Sequence, residues 1–127
     1  MDPLLSIRIR NYSKALCPGE TLESEYQIDA VGPDEIVAVE ASVLWRTEGK
    51  GDEDLGVHYF ERRVSTDAVD GDLRSLRRFE AILPNSPLSY AGDIVRIRWC
   101  VRVRAFMRKG KTLAAEQPFG LGTALHD

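Results

Sequence analysis

The sequence predicts an all-β fold in which about seven antiparallel strands form a two-sheet β-sandwich. Three observations predict it: polar and apolar side chains alternate over most of the chain, turn residues separate the alternating segments, and no segment has the spacing of an amphipathic helix. Because a chain of 127 residues can bury a core of its own, we predict a single domain over residues 1–127.

The first two predicted strands flank a tight turn. Residues 5–10 alternate Leu or Ile with Ser or Arg, and residues 21–30 alternate apolar with acidic or amide side chains. Between them, Pro18 fixes φ and Gly19 is free to take a positive φ, as a turn requires. The predicted inward residues of the second strand are Leu22, Tyr26, Ile28 and Ala30.

Residues 36–47, 55–65 and 77–83 predict the next three strands. Residues 83–93 contain Pro84, Pro87 and Gly92. They therefore predict an irregular crossing between the sheets. The predicted inward residues are Val37, Val39, Ala41, Val43 and Trp45 in the third strand, Val57 and Tyr59, with Phe60 as a further candidate, in the fourth, and Phe79, Ala81 and Leu83 in the fifth.

The clearest alternation lies in residues 95–106, where one parity is apolar and the other carries four arginines. Lys109 to Lys111 predict a hairpin turn into a last strand at residues 112–117, and residues 118–127 are interpreted as a tail. The apolar parity consists of Val95, Ile97, Trp99, Val101, Val103 and Ala105, and the basic parity of Arg96, Arg98, Arg102 and Arg104.

Composition limits the classes of function. The net charge of −3 and the pI near 5.4 disfavour nucleic acid as a partner. No apolar run approaches the roughly 18 residues of a membrane helix, and the N-terminus lacks the pattern of a secretory signal. We therefore expect a cytoplasmic protein without membrane insertion. Its Cys17, in a turn, and Cys100, facing outward with the arginines, are expected to be unpaired thiols.

Several motifs are incomplete. Lys50 lies between two glycines, but neither the Ser or Thr nor the helix of a phosphate-binding loop follows. The acidic segments 52–54 and 67–72 lack calcium-loop spacing, since position 77 is Arg and not Glu. The two Cys and two His resemble no zinc site and form no nucleophile motif. We therefore predict a protein that is not an enzyme and has no cofactor and no metal site.

The arginines are the candidate partner-binding residues. The stripe of residues 96–104 has the length to follow an acidic peptide or several phosphates, but cross-strand ion pairs with Glu40, Glu61 and Glu116 are the favoured interpretation. Residues 4–10 are the predicted edge strand, which an incoming strand could extend. The candidate residues are Arg8, Arg10, Arg96, Arg98, Arg102 and Arg104.

Two segments resemble the arrestin fold. LSIRIRNYSKALCPGETLESEYQI resembles the opening strands and turn of such domains, and FEAILPNSPLSYAGDIVRIRWCVRVRAF resembles their later half. The resemblance to arrestins and to bacterial sporulation-control relatives implies a seven-stranded immunoglobulin-like sandwich and an adaptor role. Arrestins carry two such domains in tandem, whereas this sequence accounts for one.

These expectations together describe a non-catalytic cytoplasmic protein-interaction domain of the adaptor or scaffold kind. Its expected partner is a protein, either one with an acidic or phosphorylated segment or a second copy bound through a strand edge. The alternative is a ligand-binding sandwich that takes carbohydrate or calcium through Trp45 or the acidic segments. Burial separates the two, since a sugar platform must be exposed.

Trp99 tests the inward parity of its strand. Replacing it in a Trp99→Ala variant should lower the free energy of unfolding by about 3–5 kcal/mol, because the void cannot collapse fully. Urea unfolding measures the change. A loss below about 1 kcal/mol would show that Trp99 does not face the core.

Overall fold

The computed structural model describes residues 4–11, 15–32, 34–49, 51, 53–64 and 72–122. These residues form eight strands in two antiparallel sheets, which confirms the predicted all-β sandwich. Within the described ranges no helix has the length and apolar character needed to cross a membrane. The strands are β1 (Leu4–Ile9), β2 (Thr21–Asp29), β3 (Ile36–Gly49), β4 (Leu55–Val64), β5 (Arg77–Ile82), β6 (Tyr90–Ala91), β7 (Val95–Met107) and β8 (Thr112–Phe119).

The smaller sheet has three strands in the order β1–β2–β5. The larger sheet has five strands in the order β4–β3–β7–β6, with β8 also paired to β7. Strand β8 lies beside residues 99–106 of β7, and the short β6 lies beside residues 96 and 97. Strand β1 ends the order of the smaller sheet, as predicted, and β4 ends that of the larger sheet.

Apolar side chains from both sheets fill the space between them. Phe79, Trp99 and Val101 are buried as predicted, whereas Trp45 and Ile97 are only half-buried at the margin of the core. On the β4–β5 side the ring of Tyr59 stacks on that of Phe79, with centroids 5.2 Å apart. Aromatic stacking therefore joins the two sheets along this side.

Two irregularities in the ladders correct the predicted inward residues. Val37 was expected to face the core but is 38% exposed, because the β3–β7 ladder shifts between Ile36 and Ala38 and leaves Val37 outside the pairing. Val57 is 50% exposed because of a similar shift: the β3–β4 ladder passes from Tyr59 directly to Val57 and leaves His58 outside the pairing. A bulge reverses the faces of all residues beyond it, which strict alternation does not reveal.

Phe60 and Ala30 were also assigned to the core but are exposed. Phe60 pairs with Ser42 on the outer face of the larger sheet and is 51% exposed. Ala30 follows the end of β2 with a φ of 63°. In this left-handed conformation it turns the chain away from the sheet instead of extending the strand.

Residues 118–122 belong to the sandwich, so the predicted tail begins too early. Phe119 and Leu121 are completely buried, and Leu121 pairs with Leu16 in a parallel bridge. The Leu16 amide donates to the carbonyl of Gly120 at 2.9 Å. These contacts close the side of the sandwich where β1 lies next to β8. Residues 123–127 lie outside the described ranges.

The crossing at residues 83–93 connects the two sheets as predicted, but it contains the short strand β6, which was not expected. The Trp99 indole N–H donates to the carbonyl of Pro87 at 2.7 Å. A buried tryptophan therefore holds the crossing against the core, and its polar atom is satisfied.

Gly56 makes room for the Trp45 indole. A Cβ on Gly56 would stand 2.6 Å from Cζ2 of that ring, and a rigid indole cannot yield easily. The Gly56→Ala variant should therefore lose about 1–3 kcal/mol in urea unfolding and change its tryptophan fluorescence. Gly32→Ala is the matched control, because its Cβ would approach only the flexible Glu35 side chain, at 3.4 Å. Equal midpoints for the two variants would contradict this packing.

Candidate interaction surface

The structure separates the six predicted arginines onto the two outer faces of the sandwich. Arg8 and Arg10 lie on the smaller sheet, whereas Arg96, Arg98, Arg102 and Arg104 lie on the larger one. Both groups lie on the side of their sheet opposite the core. The arginines of β1 and those of the stripe on β7 therefore belong to different sheets.

On the smaller sheet, one glutamate holds three arginines. Glu25 lies 3.8 Å from Arg8, 3.9 Å from Arg10 and 3.1 Å from Arg78. Its side chain is only 12% exposed and lies directly between Arg8 and Arg78 in the ladders. These arginines are therefore already engaged in cross-strand pairing, as opposite charges on a sheet often are.

The outer face of the larger sheet carries more arginines than glutamates. In its described strands, six arginines face three glutamates, which leaves a surplus of three positive charges on a protein with a net charge of −3. We call this surface the arginine face. It comprises Arg46, Arg62, Arg96, Arg98, Arg102 and Arg104, with Glu40, Glu48 and Glu116.

Glu40 links two of these arginines across three strands. It accepts a hydrogen bond from Arg62 at 2.7 Å and from Arg104 at 2.8 Å. Both guanidinium groups also lie over the ring of Phe106, with centroid distances of 5.5 and 5.6 Å. Glu40 is therefore a partner of the stripe, as predicted, through its contact with Arg104, and cation–π contacts add to this pairing.

Glu116 pairs with Arg46 and not with Arg102, the residue opposite it in the β7–β8 ladder. It stands directly opposite Arg102, yet it accepts two hydrogen bonds of 2.9 Å from Arg46. This bidentate pair raises the pKa of Arg46. Arg102 is left without a carboxylate within ion-pair distance among the described residues, and its Nε is buried without a hydrogen-bond acceptor.

Glu61 was a predicted partner of the stripe, but it faces the inside of the sandwich. It accepts a hydrogen bond from Arg77 of β5 at 3.0 Å and one from the Tyr59 hydroxyl at 3.2 Å. Arg98 instead pairs with Glu48 at 3.0 Å. Cross-strand pairing therefore explains Arg98 and Arg104, whereas Arg96 and Arg102 have no carboxylate within ion-pair distance among the described residues.

Cys100 lies on the arginine face but is buried, so its predicted outward exposure is wrong. It stands between Leu44 and Pro118 in the ladders and is 5% exposed. Burial, together with the nearby Glu116 carboxylate, raises the pKa of its thiol to about 11. Both cysteines are unpaired, and Cys17 is the exposed one.

Three apolar side chains line the free border of the arginine face. Leu55, Val57 and Phe60 point outward from β4 and are 52%, 50% and 51% exposed. We call them the apolar stripe. Sequence reasoning missed it, because Val57 and Phe60 were assigned to the core; the opposite parity of Tyr59 and Phe60 was the available signal.

The alternative ligand sites receive little support. Trp45 packs on Gly56 and is not an exposed platform. Asp52, Asp67 and Asp70 lie outside the described residues. Asp72 accepts hydrogen bonds from Arg74, which lowers its pKa to about 2. Among the described residues no three His, Cys, Asp or Glu side chains cluster in a way that could hold a metal.

A pocket of about 340 Å³ lies between the β7–β8 hairpin and the turn before β3. Arg108 holds these two segments together, since its amide donates to the Glu35 carbonyl at 2.7 Å and its Nε to the Asp34 carbonyl at 2.8 Å. None of the predicted site residues lines it. We interpret these contacts as bracing of the hairpin.

No protein-family model and no curated protein matches the sequence. Among solved structures, the chain is similar to Spo0M, the sporulation control protein of Bacillus subtilis, with a TM-score of 0.65 and 12% sequence identity. The fold is an arrestin-like β-sandwich. The similarity covers 98% of this chain and 50% of Spo0M, so the chain spans half the length of that protein. At this identity the comparison establishes the fold alone.

The two thiols should differ strongly in reactivity. With a pKa of about 11, about one in a thousand Cys100 side chains is a thiolate at about pH 8, and the side chain is buried as well. A disulfide reagent should therefore modify one thiol rapidly in the folded protein and both after unfolding. In the Cys17→Ser variant, reaction of the remaining thiol should be at least about a hundredfold slower than in urea. Rapid modification of the folded variant would contradict the burial of Cys100.

Proposed function

We propose that this domain is a non-catalytic, cytoplasmic protein-interaction module that binds an acidic segment of a partner on the arginine face. The observation that carries the proposal is Arg102. Its directly opposed carboxylate, Glu116, is bound by Arg46, and its buried Nε has no acceptor. The Arg102 side chain as a whole remains partly exposed, so a carboxylate or phosphate from a partner would pair with its guanidinium group by a charge-assisted hydrogen bond.

The charge of the surface supports a protein partner more than a nucleic acid. Three surplus charges are a modest attraction, and the protein as a whole carries −3. The face offers Phe60 and Phe106 as its aromatic rings, and Phe106 is already covered by Arg62 and Arg104. Single-stranded nucleic acids usually need free aromatic platforms.

A non-catalytic role fits the state of the groups that could do chemistry. The His58 Nε2 lies 2.6 Å from the carbonyl oxygen of Ile82. The Cys100 thiol is held in its protonated form by burial. The resemblance to arrestins supports an adaptor role, and the arrestin-like fold shared with Spo0M agrees with that resemblance.

Reversing the charge of Arg102 tests the proposal. The probe is a fluorescein-labelled deca-glutamate peptide, followed by fluorescence anisotropy at several salt concentrations. Arg102→Glu should weaken binding about tenfold or more, because a charge-assisted hydrogen bond contributes roughly 1.5–3 kcal/mol. The salt dependence should weaken as well, since one screened attraction is lost. A peptide of alternating phosphoserine and glycine distinguishes phosphate from carboxylate recognition.

Arg8→Glu is the matched control, because its side chain is 74% exposed on the opposite face. It should leave affinity and salt dependence nearly unchanged. Equal losses in both variants would indicate a response to overall charge only. Unchanged binding in a folded Arg102→Glu protein would remove the arginine face from the proposal.

A further inference from the structure

The edge strand β4 has the features of a docking strand. It has ten residues and pairs only with β3 among the described strands. In an antiparallel pair, alternate backbone groups of an edge strand point away from the sheet and can pair with an incoming strand. Along its outer face, the apolar stripe remains about half exposed.

The other edges are less suited to this role. β1 has six residues, and its arginines are drawn toward Glu25. β5 also has six residues. The outward residues of β8 are Thr112, Ala114, Glu116 and Pro118, which offer little apolar surface, and a proline cannot donate to a new ladder. β4 therefore combines the longest of these edges with a continuous apolar row.

The rows of side chains across the larger sheet indicate the chemistry of the incoming strand. One row runs from Arg104 through Glu40 to Arg62, so its charges alternate and it ends on a positive charge at the edge. Continuing this order requires an acidic residue. The next rows end at the edge on Phe60, Val57 and Leu55. Beside each of these residues, an apolar side chain on the incoming strand would be favourable.

We propose that β4 binds an extended strand of a partner protein whose outer face carries one acidic residue beside Arg62, followed by apolar residues along the apolar stripe. This proposal rests on the proposed function and specifies its binding mode. The backbone ladder supplies affinity, and the alternate side chains supply selectivity. Arg102 lies in the row of Phe60, two strands away from β4, and attracts the acidic segment as it arrives.

A second copy of this chain is a poorer occupant. An antiparallel β4–β4 pair places outward residues of one copy beside outward residues of the other. The outward side of β4 carries Leu55, Val57, Phe60, Arg62 and Val64, and none of these is acidic. No register can therefore place a carboxylate from β4 beside Arg62.

The probe is the labelled peptide Asp-Thr-Val-Thr-Val-Thr-Val-Thr-Asp, which presents acid, valines and acid on one face in either strand direction. The control peptide has the same composition, with its aspartates moved to the threonine face. Anisotropy should show at least about tenfold tighter binding of the first peptide. Hydrogen exchange should slow at amides within residues 55–63 and remain unchanged in β1.

Two variants test which side chains of β4 select the incoming strand. Phe60→Thr keeps the charges and should weaken binding of the alternating peptide without affecting deca-glutamate. Arg62→Glu should lose the aspartate peptide and gain affinity for the same peptide with lysine in place of aspartate. Because Arg62→Glu places a second carboxylate beside Glu40, its fold is checked by urea unfolding, and Phe60→Thr provides the test if it is unstable.

The outcomes separate this proposal from the preceding one. If Arg102→Glu abolishes deca-glutamate binding but the two alternating peptides bind equally, the arginine face binds acidic segments and docking on β4 is wrong. Protection of β1 or β8 amides instead of β4 also overturns it.

If neither peptide nor deca-glutamate binds, both proposals fail. If β4 amides are protected by self-association without peptide, as sedimentation would reveal, the occupant is a second copy.

Discussion

The ladder between β3 and β7 determines where every other part of this protein lies. It runs from Ile36 opposite Met107 to Gly49 opposite Val95 through the middle of the larger sheet. A shift of one residue would exchange the buried and exposed faces of both strands. The large buried side chains of Trp99, Val101 and Val103 therefore fix the register, and the register in turn places the arginines outside.

The sequence was sufficient to predict what depends on alternation. Trp99, Val101 and Phe79 were correctly placed in the core, and the arginine stripe was correctly placed on one face, because the period of a strand alone decides both. The turn at Pro18 and Gly19 was also predictable, since Gly19 has a φ of 84°. Such features need only neighbours along the chain.

Features that depend on distant partners were not predictable. The bulges that expose Val37 and Val57 arise from the fit between two strands, and nothing in either strand alone marks them. The burial of Phe119 and Leu121 was hidden behind Pro118, which suggested the end of a strand. The preference of Glu116 for Arg46 over Arg102 is a diagonal contact that exists only once three strands lie side by side.

The arginine face illustrates how a folded sheet leaves some of its charges unsatisfied. Glu40 and Glu116 each accept two short hydrogen bonds from arginines, but their positions in the sheet restrict which arginines they can reach. Four of the six arginines on this face pair with a glutamate, whereas Arg96 and Arg102 have no carboxylate within ion-pair distance among the described residues. A surface of this kind is stable by itself and still attractive to an acidic segment.

The bridge between Leu16 and Leu121 has a consequence for synthesis of the protein. The two residues are far apart in the sequence, yet their contact closes one side of the sandwich. A nascent chain that has emerged from the ribosome only as far as β7 therefore carries both inner faces without their closing segment. Its apolar surfaces stay accessible until residue 121 has left the exit tunnel, so the emergence of this segment decides when the sandwich stops needing protection from aggregation.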